Sequence, residues 1–455
     1  MAQNTREVIS GLETRLTEPS AKGLASAVTR AVRDGALRAG DRLPPIRELA
    51  HQLALSPTTV SAAWGLLARA GAIRTAGRRG TVIADDGPRD GRYRKALERQ
   101  APFALDLSTG VPDAALLPGL ARALQDLTTA GTPASYLDDP VLPELQTALL
   151  DSWPYPAPAI TVVDGAMDAL ELVIRTTLRF GDRVVVEHPT FPPLLDLLEA
   201  AGTEIVGVGL DDEGMDPAAL AAALGERAQA VFLQPRAQNP TGTSTSERRL
   251  GELADVLAGC DVLVVEDDST SDLSVSPDLS LGAVLPERVV HIRSYSKSHG
   301  PDLRLAAMSG PEELIGGVRN ARQLGQGWSS RLLQRLLLSL LTDEGSRAEV
   351  AAARAEYARR RSAFVDALAG EGIDVPGGDG LNVWVPVHDE AAALMRLAAR
   401  GIGVAPGRPF AVRSGDAGHV RVTTGLLAGE EAAVEEVAAE VAAAARTSGR
   451  QPGAR

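Results

Sequence analysis

Apolar residues recur along this chain with two different periods. Leu24, Ala27, Val28, Ala31 and Val32 fall at i, i+3, i+4, i+7 and i+8, the stripe of an amphipathic helix. Gly35 and Gly40 end it and lead into the turn Asp41-Arg42-Leu43-Pro44-Pro45. A short second helix is expected from Ile46 to Leu53. Ser56 is placed to cap a third that runs to Gly71, with Val60, Trp64 and Leu67 on its buried face. Ile73-Arg74-Thr75 and Thr81-Val82-Ile83 flank Ala76-Gly77-Arg78-Arg79-Gly80, which reads as a small hairpin with a basic, glycine-rich tip. From Leu105 onward, strand-like runs at 183–187, 204–208, 229–234, 261–266 and 288–293 alternate with helical segments. That alternation predicts an α/β fold with a largely parallel central sheet. The Ala-rich stretch 431–445 reads as a helix.

Composition sharpens the division. A chain of 455 residues suggests two or three domains, and 44% hydrophobic residues supply an ample core. The formal charge of −13 is unevenly spread: residues 1–85 carry 12 Lys and Arg against 7 Asp and Glu, and the remainder 34 against 52. A basic end on an acidic body points to an anionic partner for that end alone. The single cysteine, Cys260, excludes a disulfide within the chain and a cysteine metal cluster, and no metal site is expected. With no signal peptide and no apolar run of membrane-spanning length, a cytoplasmic location is expected. Residues 86–104, with Gly87-Pro88 and weak periodicity, read as a linker, and 449–455 as a disordered tail.

The chemistry centres on Ser294-Tyr295-Ser296-Lys297-Ser298-His299-Gly300-Pro301-Asp302-Leu303-Arg304. The apolar run Val289-Val290-His291-Ile292 places Lys297 just past a strand's carboxyl end, where open α/β sheets bind ligands. An amine held there can form a Schiff base with an aldehyde cofactor. Ser294 and Arg304 offer a hydroxyl and a guanidinium to a phosphate. The segment resembles the lysine segment of fold-type I pyridoxal 5'-phosphate (PLP) proteins, the aspartate aminotransferase superfamily.

That resemblance implies roles for residues elsewhere. Asn239, in Gln238-Asn239-Pro240-Thr241-Gly242, would donate to the cofactor's phenolic oxygen. Asp267 would pair with the pyridine nitrogen and keep it protonated. Phe191 matches the aromatic that stacks on the ring. Gly165 and Ala166 would offer backbone N–H groups at a helix N-terminus to the phosphate. Tyr136 matches the tyrosine that reaches the neighbouring subunit's phosphate, and Arg421 the arginine that clamps an effector carboxylate. Taken singly, Asn239-Pro240 is also a turn, Asp267-Asp268 a strand-end acidic pair, Phe191 a core residue and Arg421 a surface cation. Three positions depart from the superfamily's pattern. Ser269 stands where a tyrosine is usual, Asp164 where a Ser or Thr precedes the phosphate-binding glycine, and Val141 where Gly follows Asp139-Pro140. Asp164 would repel a phosphate unless it points away.

Residues 20–84 resemble the winged helix-turn-helix of the GntR family, through Gly40-Asp41-Arg42-Leu43-Pro44, Arg47-Glu48-Leu49-Ala50, Ser56-Pro57-Thr58-Thr59-Val60 and Gly77-Arg78-Arg79-Gly80-Thr81. By position, Arg47, Thr58, Thr59 and Gly77 would contact double-stranded DNA, with Arg78 and Arg79 at the basic tip. Pro57 replaces a frequent arginine. A GntR-type reader (1–85), a linker (86–104) and an aminotransferase-like domain (105–448) together resemble the MocR family of transcriptional regulators. The resemblance implies a homodimer, often domain-swapped, that senses PLP or an amino-compound effector through a Lys297 aldimine. Two other functions stay open: a working aminotransferase with a DNA-binding appendage, and a regulator whose large domain is only a scaffold.

Overall fold

The computed structural model describes residues 5–38, 40–69, 72–75, 80–83, 103–127, 139–225, 227–413, 418–427, 429 and 431–448. Most of the expected linker, the expected tail, Tyr136, and Gly77, Arg78 and Arg79 at the hairpin tip lie outside these residues. The chain falls into two compact units.

The smaller unit holds four helices, α1 (Thr5–Glu13), α2 (Ala21–Arg33), α3 (Ile46–Gln52) and α4 (Pro57–Arg69), then strands β1 (Ile73–Thr75) and β2 (Thr81–Ile83). Ser20 starts α2 by accepting a hydrogen bond from the Gly23 N–H at 3.0 Å. Ser56 does the same for α4, accepting from Thr59 N–H at 3.0 Å, and Pro57 opens that helix without loss because its missing donor would be unpaired there. Leu24, Val28 and Ala31 of α2 pack with Leu49 of α3 and with Val60, Trp64 and Leu67 of α4. Each fully buried leucine in such a core contributes on the order of 2 kcal/mol. β1 and β2 pair antiparallel, Ile73 opposite Ile83. Leu43 N–H donates to the Thr81 carbonyl and Gly40 N–H to the Ile83 carbonyl, so the turn after α2 is laced to the hairpin. Gly40 makes that turn with φ of +84°, which an L side chain rarely adopts. Helix α1 was not expected from the sequence; its Val8, Ile9 and Leu12 join the same core.

The larger unit carries a mixed eight-stranded sheet and a four-stranded one. In chain order the strands are β3 (Leu105–Leu107), β4 (Ala159–Val163), β5 (Arg183–His188), β6 (Glu204–Asp211), β7 (Gly214–Met215), β8 (Ala230–Leu233), β9 (Leu263–Asp268), β10 (Val289–Ser294), β11 (Ala306–Gly310), β12 (Asn382–Pro386), β13 (Ile402–Pro406) and β14 (His419–Thr423). The large sheet runs β4-β11-β10-β9-β8-β5-β6-β7. β8, β9 and β10 are parallel, and β11 lies antiparallel between β10 and β4. Every residue of β8 and of β10 is buried, as expected for strands covered on both faces. β9 continues through Glu266, Asp267 and Asp268, two residues beyond the apolar run that signalled it. The small sheet, ordered β12-β14-β13-β3, sets Arg421 of β14 opposite both Trp384 and Ala405. Among the described residues, no helix is long and apolar enough to cross a membrane.

Candidate cofactor site and nucleic-acid interface

Parallel strands deliver their last residues to one edge of a sheet, and here that edge is a cavity. β9 ends with Asp267 and Asp268, β10 with Ser294, and the loop after β10 brings in Lys297. Lys297, Asp267, Asn239, Phe191, Ser294 and Arg304 line one cavity of about 200 Å³. Ala166, Ser269, Gln234 and Arg421 are among the other residues of its wall. The amine, acid and amide that the sequence scatters over nearly sixty positions therefore meet in one place.

Lys297 Nζ lies 3.3 Å from Ser269 Oγ. Burial lowers its amine to about 8, against the charge of Asp267, which favours the ammonium form. A neutral amine is the nucleophilic form, so this lysine is poised to attack an aldehyde near neutral pH. Asp267 is shifted the other way: burial lifts its carboxyl to about 6, opposed by a hydrogen bond from Gln234 and by the charge of Lys297. Its Oδ2 accepts from Gln234 Nε2 at 2.7 Å. Its Oδ1 is buried with no hydrogen-bond partner among the described residues. Such an oxygen is costly unless a donor arrives, and a protonated pyridine nitrogen is a donor of the right charge.

Asn239 is oriented by its neighbour. Arg421 Nη1 donates to Asn239 Oδ1 at 3.2 Å, and a guanidinium only donates, so the amide NH₂ is turned to the other side. Arg421 is no surface cation. It is 1% exposed, donates to the Ser108 carbonyl and lies 5.2 Å over the Phe410 ring.

At the opposite corner, Gly165 has φ of +99° and leads into the helix Ala166–Thr177. A Cβ on Gly165 would meet the Arg304 guanidinium at an ordinary 3.5 Å, so it is the positive φ that calls for glycine here. The N–H groups at the helix N-terminus and that guanidinium form a cup for an anion. Asp164 does not oppose it. Its Oδ2 accepts from Arg322 Nη2 at 2.9 Å and from Gln326 Nε2, while Arg322 Nη1 holds Asp168 Oδ2 at 2.6 Å. The carboxylate feared as a repeller of phosphate is turned into this ion-pair cluster. The donor set, the orphaned Asp267 oxygen and the anion cup fit PLP.

In the smaller unit Arg47 on α3 is exposed, as is Thr58 in the first turn of α4, with Thr59 half-buried beside it. Ser56 Oγ lies 2.6 Å from Thr58 Oγ1 and 2.7 Å from Thr59 Oγ1, which fixes both hydroxyls at the helix start.

Two family models match the chain: "Bacterial regulatory proteins, gntR family" over residues 20–83 and "Aminotransferase class I and II" over residues 104–441. The chain is 39% identical, over 90% of its length and 94% of the relative's, to the vitamin B6 salvage pathway transcriptional repressor PtsJ of Salmonella typhimurium. It is 29% identical to the HTH-type pyridoxine biosynthesis transcriptional regulator PdxR of Corynebacterium glutamicum, over 81% of each chain. The chain belongs to the MocR-type GntR regulators. Its larger unit has the fold of a solved kynurenine aminotransferase from Pyrococcus horikoshii, with a TM-score of 0.71 at 24% identity, covering 78% of this chain and 94% of that one.

Three residues of this MocR protein escaped the sequence reading. Gln234, just past β8, bonds Asp267 and Asn239. Arg322 neutralises Asp164 from a helix 158 positions away. Glu187 on β5 is 2% exposed and accepts from Gln234 N–H at 3.1 Å and Gln238 Nε2 at 3.2 Å. Only Glu187 left a signal, a charged residue at the end of an apolar run. Burial lifts its carboxyl to about 8; the two bonds pull against this and the charge of Asp267 adds to it. A carboxyl raised in this way binds its proton more tightly in the folded chain. The stability it contributes is present at low pH and is lost as pH rises from about 4.5 through about 8. Glu187→Gln is therefore expected to melt progressively higher than the native chain across that range, as thermal melts at stepped pH will show. Parallel curves would mean that Glu187 is ionised throughout.

Proposed function

We propose that this chain is a transcriptional regulator that binds operator DNA through its GntR-type unit and PLP through its aminotransferase-like unit. The convergence of Lys297, Asp267 and Asn239 on one cavity carries the reading. The relatives named for vitamin B6 salvage and pyridoxine biosynthesis support a signal from vitamin B6 or from an amino compound that reacts with it. Residues 1–85 form the DNA reader, 86–104 the linker and 105–448 the sensing domain. The active species is a cytoplasmic homodimer, domain-swapped, with Tyr136 serving the partner's site and two readers meeting paired half-sites.

Bound PLP supplies an aldehyde to the lysine amine and an electron-withdrawing pyridinium. Lys297 would hold the aldehyde carbon. Asp267 Oδ1 would keep the ring proton, and the Asn239 amide would donate to the phenolic oxygen. Phe191 would cover the ring. Ser294, Arg304 and the N–H groups of Gly165 and Ala166 take the phosphate. Arg421 receives an effector carboxylate. The ligand-bound and ligand-free states must differ in their affinity for the operator, since a ligand that binds both states equally shifts nothing. Arg47, Thr58 and Thr59, with Gly77, Arg78 and Arg79 at the tip, contact DNA.

Footprinting on the chain's own promoter region tests both halves. Binding should weaken steeply with salt. Arg47→Ala should weaken it further, and PLP should shift the native footprint. A footprint indifferent to salt, to Arg47 and to PLP would defeat the reading. Sustained transamination of many amino donors with no PLP effect on the footprint would favour the alternative of a working aminotransferase.

A further inference from the structure

We propose that Gln234 is a positioning residue of the cofactor site, a side chain that ties the acid, the backbone of Asn239 and the hydroxyl around the ring into a single arrangement. This rests on the reading of the cavity as a PLP site. Gln234 is 5% exposed and lies just beyond β8, at the cavity wall. Its Oε1 accepts from the backbone N–H of Asn239 at 2.8 Å. Its Nε2 donates to Asp267 Oδ2 at 2.7 Å and lies 3.4 Å from Ser269 Oγ. Its own N–H is tied to Glu187 Oε2 at 3.1 Å.

Each bond has a consequence for a bound ring. With Oδ2 of Asp267 occupied, Oδ1 is the oxygen left to meet the ring nitrogen. A donor to the carboxylate also favours its ionised form, against the burial that disfavours it. With the Asn239 backbone held, the amide side chain starts from a fixed point. With Ser269 held, the hydroxyl beside the Lys297 amine is placed too. Ser269 is shorter than the tyrosine usual there, so this chain has less to hold the ring from that side and leans more on the carboxamide. A side chain of equal length without the donor cannot do this: methionine makes neither bond, and glutamate sets an acceptor against an acceptor.

The test uses full-length Gln234→Met and Gln234→Glu beside the native chain. PLP affinity is read by absorbance titration, and ring-nitrogen protonation by nitrogen NMR of isotope-labelled PLP. Attachment is read by borohydride trapping at Lys297 with saturating PLP. Both variants should lose about tenfold or more in affinity, the scale of a hydrogen bond to a charged group. Ring protonation should fall, while the trapped adduct at Lys297 persists at saturation. Native affinity and native protonation in Gln234→Met would overturn the proposal. If that variant does not fold, the same two readings on Gln234→Glu decide. No adduct on the native chain would instead overturn the cofactor reading, and this inference with it.

Discussion

Lys297→Ala is expected to abolish the covalent capture of PLP outright: no visible band that borohydride bleaches, and no trapped peptide. Among the described residues the site offers no substitute amine, since Lys297 is the only lysine on the cavity wall. The DNA unit folds around its own core and does not need this residue. Operator binding without PLP should therefore survive, while the response to PLP disappears. A titration of operator affinity against PLP, run on both proteins, gives the result directly. An intact response in the variant would mean that the signal does not pass through the lysine. The lowered amine pKa of about 8 gives Lys297 a far larger neutral, reactive fraction near neutral pH than an ordinary lysine has.

The second large effect lies behind the cavity. Asp268 is fully buried, and burial alone would raise its carboxyl. The charges of Arg236, His291 and Arg293 and the hydrogen bond from Arg236 together outweigh that and hold it below the ordinary value. Arg236 bonds Asp268 directly and reaches Asp278 at 3.2 Å, and Arg293 holds Asp278 at 2.7 Å. Arg236→Met keeps much of the bulk but removes the ion-pair partner of the Asp268 carboxylate and leaves it the Ser271 N–H at 3.0 Å, with a loss of about 3 kcal/mol expected, the low end for a broken buried pair. Urea unfolding would show it as a lower midpoint at unchanged slope. Removing the charge at both ends, Arg236→Met with Asp268→Leu, should recover part of the loss, because the penalty belongs to the unpaired charge and not to the missing pair. A single variant as stable as the native chain would mean that Asp268 finds another partner.

The two effects differ in how legible their residues were. Lys297 followed an apolar run that ends at a polar loop, so position and chemistry were local. The helix-turn-helix was equally local, a matter of caps and stripes over some sixty residues. Asp267 and Asp268 were read as lying just past a strand, yet the strand includes them. Three consecutive carboxylates do not look like strand until Arg236, Gln234, His291 and Ser280 are known to meet them. The small sheet left little trace because its strands are three to five residues long and join Leu105–Leu107 to segments some three hundred positions on. Arg421 looked like a surface cation when taken alone for the same reason, since its partners Ser108 and Asn239 are set by that distant pairing. Asp164 was read from its charge, with its direction left open. Its sign was right, but its direction depends on Arg322, which no local pattern could supply.

The hold of Arg421 on the Ser108 carbonyl has a mechanical side. Ser108 is the first residue after β3, the first strand of the larger unit. A carboxylate that claims the guanidinium must compete with that carbonyl. Occupancy at the ligand end of the pocket and the anchoring of the residue that follows β3 are thus coupled through a single side chain.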